Sequence, residues 1–251
     1  MRWAAGLAIV AGSFWVSEVS PERLWTGLPS MGRYVAGTLP ARGELAGWMW
    51  GWKRWLALLW DTILIAYLGT LLGSLAGLFL SFFAARNVTP GRWVGVAARR
   101  ILELARTVPE LVFALIFVIA FGLGPLAGVL ALALHAMGAI GKLCSDLLEH
   151  TQPGPMDGLR ASGANWWEAM RYGAAPQILP GFLSYSLFRF EVNVRASSVI
   201  GFIGVGGIGQ ELYVAIRQFV YQDISAIVVL IVLAVAAIDQ LSEWARRRIA
   251  A

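Results

Sequence analysis

Long apolar runs, separated by short stretches that carry most of the arginines, set the pattern of this chain. Runs long enough to cross a bilayer as helices, about 20 residues each, lie at 56–84, 101–122, 124–148, 178–200 and 224–244, with a shorter one at 3–19. The pattern predicts an all-α integral membrane protein of about six transmembrane helices. Arg2 ahead of the 3–19 run also fits a secretory signal peptide. Phe14, Trp15 and Val16, however, offer no small-residue cleavage site, which favours a retained first helix. Residues 1–55 then form an N-terminal transmembrane or interfacial segment, and 56–251 the main membrane domain with a polar loop at 151–178.

The arginines orient the chain. Arg86, Arg92, Arg99 and Arg100 lie between the first two long runs with no acid among them, and Arg246, Arg247 and Arg248 close the C-terminus. Both regions belong in the cytoplasm by the positive-inside rule, which also places the 150–178 loop inside. The 20–55 segment falls outside although it carries Arg23, Arg33, Arg42, Lys53 and Arg54. Its tryptophans Trp48, Trp50, Trp52 and Trp55 suit a stretch lying in the membrane interface.

Composition narrows the function classes. Of 251 residues, 58% are hydrophobic and only 14% charged, where soluble domains carry about a quarter. The surplus of basic residues flanks apolar runs instead of forming the continuous patch that a nucleic acid would need. A single cysteine, Cys144, excludes an intrachain disulfide, and two histidines, His135 and His150, make a histidine metal cluster improbable. Gly204, Gly206 and Gly209 satisfy G-x-G-x-x-G, but the dinucleotide motif requires a preceding strand. Here Gly204, Gly206, Gly207 and Gly209 sit between membrane helices, where they predict a tight re-entrant turn or gate. There is no G-x-x-x-x-G-K-[ST] stretch, so ATP hydrolysis is expected in another polypeptide.

Within the apolar runs, Gly69, Gly73 and Gly77 recur every four residues and predict a close helix–helix contact. Charges inside spans are costly and carry a functional hypothesis by default. At 100° per residue, Glu103, Arg106, Thr107 and Glu110 share one face of the 101–122 helix, which Pro109 should kink. His135, Gly138, Lys142, Asp146 and Glu149 share a face of the next helix, with Lys142 and Asp146 as an i,i+4 pair. Further on, Arg189 and Asn193 lie on one side of a helix, while Glu191 and Arg195 lie nearly opposite. Paired structural charges explain such sets, as does a polar pathway for an anion through Arg106, Glu110, His135, Lys142, Arg189, Asn193 and Arg195.

The stretch PMDGLRASGANWWEAMRYGAAPQILP, 155–180, is the most polar loop and reads at its centre as a short amphipathic helix over 157–168. Pro155 suits a first turn and Asp157 a helix N-terminus. It resembles the EAA loop of permeases from binding-protein-dependent ABC importers. In that pattern an acid precedes two small residues, with a glycine six positions and a proline nineteen positions after the acid, as at Asp157, Gly163 and Pro176. Asp stands for the usual Glu, Gly158 and Leu159 for the paired alanines, and Ala175 for the usual leucine. The stretches RTVPELVFALIFV, GPLAGVLALALHAMGAIGKL and RYGAAPQILPGFLSYSLFRFEVNVRASSVIGFIGVGGIGQEL resemble phosphonate-type permeases, over about residues 55–245.

That resemblance implies a type I ABC importer permease fold in the bacterial cytoplasmic membrane. It also implies a homodimer with two cytoplasmic ABC ATPase subunits and a periplasmic or lipid-anchored substrate-binding protein. Asp157, Gly158, Leu159, Ala161, Ser162, Gly163 and Trp166 would dock in the ATPase, which would hold ATP and magnesium, this chain binding no cofactor. The implied cargo is a phosphonate or a related phosphorus oxyanion: phosphite, hypophosphite or phosphate. A methionine or glycine-betaine permease is the nearer alternative, and a stand-alone carrier, which would show inverted repeats, the more distant one. The orientation has a direct test. Cysteines at Asn87→Cys and Ala251→Cys should label with an impermeant reagent only from the cytoplasm, and Gly37→Cys only from outside. Outside labelling of Asn87→Cys would reverse the orientation.

Overall fold

The computed structural model describes residues 20–38, 40 and 45–250, with isolated positions 3, 6, 12 and 13. The predicted helix at 3–19 thus lies outside the described residues. The helices are α1 (Pro21–Thr38), α2 (Leu45–Trp48), α3 (Trp52–Ala84), α4 (Arg92–Thr107), α5 (Glu110–Phe121) and α6 (Pro125–Glu149). Then come α7 (Pro153–Ala161), α8 (Trp166–Glu168), a π-helical turn (Ala169–Ala174) and α9 (Ala175–Ile200), followed by a 3-10 turn (Gly201–Ile203), α10 (Gly207–Arg217) and α11 (Tyr221–Ala250). Among the described residues there is no strand. Among the described residues, helices α3, α6 and α11 are each long and apolar enough to cross a membrane, and counting each of two bent helix pairs as one span brings the number to five.

One of those bends corrects the sequence reading. The predicted 101–122 helix is two helices, α4 and α5, meeting at 92°. Pro109 forces its predecessor out of the helical region, and Val108 is extended at φ −77°, ψ 125°. Glu110 therefore opens α5 while Glu103, Arg106 and Thr107 stay on α4, and the predicted shared face does not exist.

Helices α3 and α6 form the centre of the bundle, packed through small residues. A Cβ at Gly69 would stand 2.7 Å from the Cβ of Leu132, and one at Gly77 would stand 2.8 Å from the Met137 carbonyl and 2.9 Å from the Gly141 amide nitrogen. A Cβ at Gly73 would run into the Ala133 carbonyl oxygen and the Ala136 side chain. Between helices in lipid the attraction comes from van der Waals contact, so only near-touching backbones make such a seam stable. The opposite face of α3, with Leu64, Leu68, Leu71, Leu72 and Leu75, is exposed and apolar, as a lipid-facing surface must be. Helix α4 crosses α6 the same way, with Gly138 against the backbone of Ala105 and Arg106, and Gly141 against Leu102.

At the end of the bundle opposite the arginine-rich loop, tryptophans tie the chain together. Trp48 Nε1 donates to Ser225 Oγ at 2.8 Å and Trp50 Nε1 to Asp223 Oδ1 at 2.9 Å, joining the entry of α3 to the start of α11. Arg54, awkward on the outer side in the sequence, pairs with Glu211 at 2.7 Å. Interfacial tryptophans with a polar tip and an apolar body suit this position.

The glycine seam gives a stability prediction. Gly73→Val should destabilise the purified protein in detergent by about 1–3 kcal/mol, the usual cost of overpacking. Gly32→Ala, whose added Cβ meets nothing within 4 Å, should leave thermal unfolding unchanged.

Candidate functional site

Two regions carry the candidate chemistry: the loop after α6 and a set of half-buried charges on α5, α6 and α9. In the loop, α7 lies across the foot of α9. Met156 is buried against the π-helical turn, where a Cβ at Gly173 would stand 2.9 Å from Met156 Cγ and 3.2 Å from Leu159 Cδ1. With that face held down, Asp157, Gly158, Ala161, Ser162 and Gly163 are exposed and Leu159 is half-buried.

Three details differ from the sequence reading. The helix ends at Ala161 instead of running to 168, because Gly163 takes a left-handed φ of +92°. Asp157 lies beyond the first turn of α7 and faces Arg160 at 3.7 Å instead of capping the helix. Trp166 turns inward: its Nε1 donates to the Val88 carbonyl at 2.6 Å, and its ring packs 5.2 Å from that of Phe83. The signal for this was legible. Asn165 and Glu168 form a capping box, the side chain of Asn165 accepting from the Glu168 amide at 3.0 Å and that of Glu168 from the Asn165 amide at 2.7 Å. An Asn-x-x-Glu spacing marks a new helix start, which places Trp166 on a helix of its own.

The same end of the bundle is tied by polar contacts. Asn87 Nδ2 donates to the Leu148 carbonyl at 2.8 Å, the Arg86 amide to Glu149 at 3.0 Å and Arg99 to the Ala84 carbonyl at 2.8 Å. The ends of α3, α4 and α6 and the start of α8 thus form one connected base around α7.

Of the seven pathway candidates, the structure brings three together. Glu110 at the start of α5 lies 3.7 Å from His135 Nε2, in the middle of α6. His135 Nδ1 donates to the Val108 carbonyl at 3.0 Å, a group freed by the bend at Pro109. Arg189, in the middle of α9, is within electrostatic reach of both Glu110 and His135. Its Nε and Nη2 are buried and have no hydrogen-bond partner among the described residues. A cleft of about 280 Å³ between α5 and α9, lined by Glu110, Leu111, Val192, Arg195 and Val199, reaches the same carboxylate.

The other four stand apart. Asn193 is fully buried and donates to Thr70 Oγ1 at 2.8 Å, which makes it a clasp between α9 and α3. Lys142 and Asp146 form the expected pair at 2.6 Å on an exposed part of α6. Arg106 is exposed and makes no ion pair among the described residues. Arg195 borders the cleft but is held on the α11 side, 2.5 Å from Glu191 and 3.5 Å from Asp239. Glu191 is also bound by Arg246 at 3.1 Å. Asp239 was not singled out in the sequence and Arg246 was read only as an orienting charge at the C-terminus, because an ion pair across helices leaves no periodic signal.

The glycine turn between α9 and α10 is enclosed by protein. Gly204, Gly206 and Gly207 have φ of +88°, +100° and +73°, a region L side chains rarely enter. Val205 and Ile208 are buried, and a Cβ at Gly209 would run into the Ser198 carbonyl. Thr62 of α3 closes the turn by accepting from the Ile208 amide at 2.8 Å.

Residues 77–251 match the family described as the binding-protein-dependent transport system inner membrane component. The chain belongs to that family. The permease is 35% identical over 239 residues to the phosphite transport system permease protein PtxC of Stutzerimonas stutzeri, covering 95% of this chain and 85% of that one. It is 40% identical over 187 residues to the phosphate-import permease protein PhnE of Mycolicibacterium smegmatis, covering 74% of this chain and 35% of that one. A bacterial ABC transporter involved in the import of the acidic polysaccharide alginate shares the fold, with a TM-score of 0.69 at 13% identity, over 97% of this chain and 99% of that one. The permease thus has the type I ABC importer permease fold and is a multi-pass protein of the inner membrane. Its family is that of the inner membrane component of binding-protein-dependent transport systems.

The turn yields a prediction. Thr62→Val leaves the buried Ile208 amide without its acceptor and should destabilise the permease by about 1–3 kcal/mol. Thr62→Ser should restore it, both read by unfolding in detergent.

Proposed function

We propose that the permease forms the membrane pathway of an ATP-driven importer for phosphonate or a related phosphorus oxyanion. The observation that carries this reading is the 35% identity, along 95% of the chain, with a permease named for phosphite transport. The half-buried Glu110–His135–Arg189 set is consistent with anionic cargo, since a guanidinium suits phosphorus oxyanions in particular. In this reading 56–251 is the permease domain, 1–55 an accessory membrane segment, and 151–178 the coupling loop. Two copies pair, and two cytoplasmic ABC ATPase subunits bind ATP and magnesium. A periplasmic or lipid-anchored binding protein delivers cargo to the outer face.

The loop is built to transmit motion. Asp157, Gly158, Leu159, Ala161, Ser162 and Gly163 supply the docking surface, while Met156 seats α7 on the π-helical turn that leads into α9. Arg189 follows Ala174 by fifteen residues on that helix, roughly 22 Å at 1.5 Å per residue. A push on α7 is therefore carried along one rigid element to the charged set. The enclosed glycine turn at Gly204, Gly206, Gly207 and Gly209 acts as the outer stop of the same helix.

Growth tests this function. A strain lacking its own transporter, given the permease with its ATPase and binding protein, should grow on phosphite or methylphosphonate as sole phosphorus source. Gly163→Trp should abolish that growth while the protein remains in the membrane, and Asp157→Ala should slow it. No growth from the unaltered complex on any phosphorus oxyanion overturns the function. Full growth with both variants removes the loop from coupling.

A further inference from the structure

We propose that the segment joining α7 to α9 carries a lipid-binding surface. Trp167, stacked on Phe79 of α3, acts there with Arg171 and Tyr172 to hold the headgroup of an anionic phospholipid in the cytoplasmic leaflet. The inference goes beyond the import reading and does not depend on which cargo crosses.

The two adjacent tryptophans of α8 face opposite ways. Trp166 turns into the protein, where its Nε1 donates to the Val88 carbonyl and its ring meets Phe83. Trp167 stands edge-on to it, with centroids 4.6 Å apart, and remains 55% exposed. The ring of Trp167 stacks on that of Phe79, with centroids 6.2 Å apart and planes 19° apart, and meets Phe83 at 5.8 Å. Phe79 is itself 53% exposed. Two large rings left open to water would forfeit the gain of burying apolar area, and the helix beneath them shows what covers them. Phe79 follows Leu64, Leu68, Leu71 and Leu75 at steps of three or four residues, so it continues the exposed apolar stripe of α3. It lies five residues before Ala84, the end of α3, about 7.5 Å at 1.5 Å per residue. A ring stacked on the last turns of a lipid-facing stripe sits at headgroup level, where an indole with an apolar body and a polar edge is favoured.

The neighbours select the headgroup. Arg171 and Tyr172, about one turn further on, are both exposed, with the guanidinium 5.5 Å from the centre of the phenol ring. Arg171 has no carboxylate within ion-pair distance among the described residues. Glu168, the acid nearest in sequence, is engaged in the capping box by the Asn165 amide. Leu179 and Leu183 continue the exposed face along α9, so acyl chains meet leucine while the long Arg171 side chain reaches the phosphate. The start of α4 is packed on the same end of α3, Arg99 donating to the Ala84 carbonyl, and it adds exposed Arg92 and Trp93. A positive field with interfacial aromatics draws anionic headgroups. An ATPase subunit that reached Trp167 would have to cover part of the lipid-facing stripe of α3. The segment is thus pinned to α3 by Trp166 and to the leaflet by Trp167, which fixes the depth at which α7 is carried.

The test uses the permease with its ATPase subunits in nanodiscs, its tryptophans replaced by 5-fluorotryptophan. The fluorine resonance of Trp167 is the one missing from Trp167→Phe. A nitroxide placed high on the acyl chain of phosphatidylglycerol or of phosphatidylcholine, at equal mole fraction, reports which lipid stands beside it. Labelled phosphatidylglycerol should broaden that resonance about fivefold more than labelled phosphatidylcholine, the scale of one basic residue at an anionic surface. Arg171→Gln, in a complex that still elutes as a single species, should bring the two lipids to near equality, and Arg171→Lys should keep the excess. Equal broadening by both lipids in the unaltered complex overturns the assignment, as does an undiminished excess in Arg171→Gln. Broadening by a gadolinium chelate in the water, with neither lipid acting, means that the face meets solvent and also overturns it. Silence toward all three probes means that protein covers the face, whether the ATPase or a second copy, and overturns it equally.

Discussion

Two helices in lipid gain nothing from hiding leucines against each other, because lipid tails are equally apolar. What holds α3 to α6 is the approach of backbones that glycine allows. Gly69, Gly73 and Gly77 on one side meet Leu132, Ala133, Ala136, Met137 and Gly141 on the other, at distances where no Cβ fits. Every other feature is positioned from this seam. Gly138 and Gly141 of the same α6 seat α4, Thr70 of α3 receives Asn193 of α9, and Thr62 of α3 closes the turn before α10. A shift of α3 against α6 would therefore disturb the α9 clasp and the glycine turn together.

Around that scaffold the charges divide into two groups with different work. On the α11 side, Glu191 is shared by Arg195 and Arg246, and Arg195 also reaches Asp239. Such a network is matched in sign and closed on itself, and removing one member would leave a costly uncompensated charge. On the other side, Glu110 and His135 approach each other where Pro109 turns the chain by 92°, within electrostatic reach of Arg189. The bend matters chemically as well as sterically. It exposes the Val108 carbonyl to His135 and places Glu110 at the first turn of a new helix, where a helix N-terminus favours a negative charge.

Much of this was legible in the residues and some was not. The apolar runs located the three unbroken spans, α3, α6 and α11, and the four-residue glycine spacing named the seam. The helical angle between Arg189 and Arg195 separated the two charged groups correctly. The glycine string gave the turn. What failed did so because the deciding partner was remote in sequence or the local rule was underweighted. Pro109 reads as a kink when only its missing donor is counted, whereas the restriction on Val108 makes it a break. Asn193 reads as pathway until Thr70, 123 positions away, is seen to hold it. Trp166 reads as an exposed docking residue unless Asn165 and Glu168 are noticed as a fresh cap.

The central claim is that this scaffold moves a phosphorus oxyanion with energy supplied by a separate ATPase, and energy dependence tests it most directly. The measurement is accumulation of labelled phosphite in proteoliposomes holding the permease with its ATPase subunits, binding protein outside and ATP inside. The account predicts accumulation above the external concentration that stops when ATP is withheld or replaced by a non-hydrolysable analogue. Equilibration without ATP, or accumulation driven by an ion gradient in liposomes holding the permease alone, would contradict it.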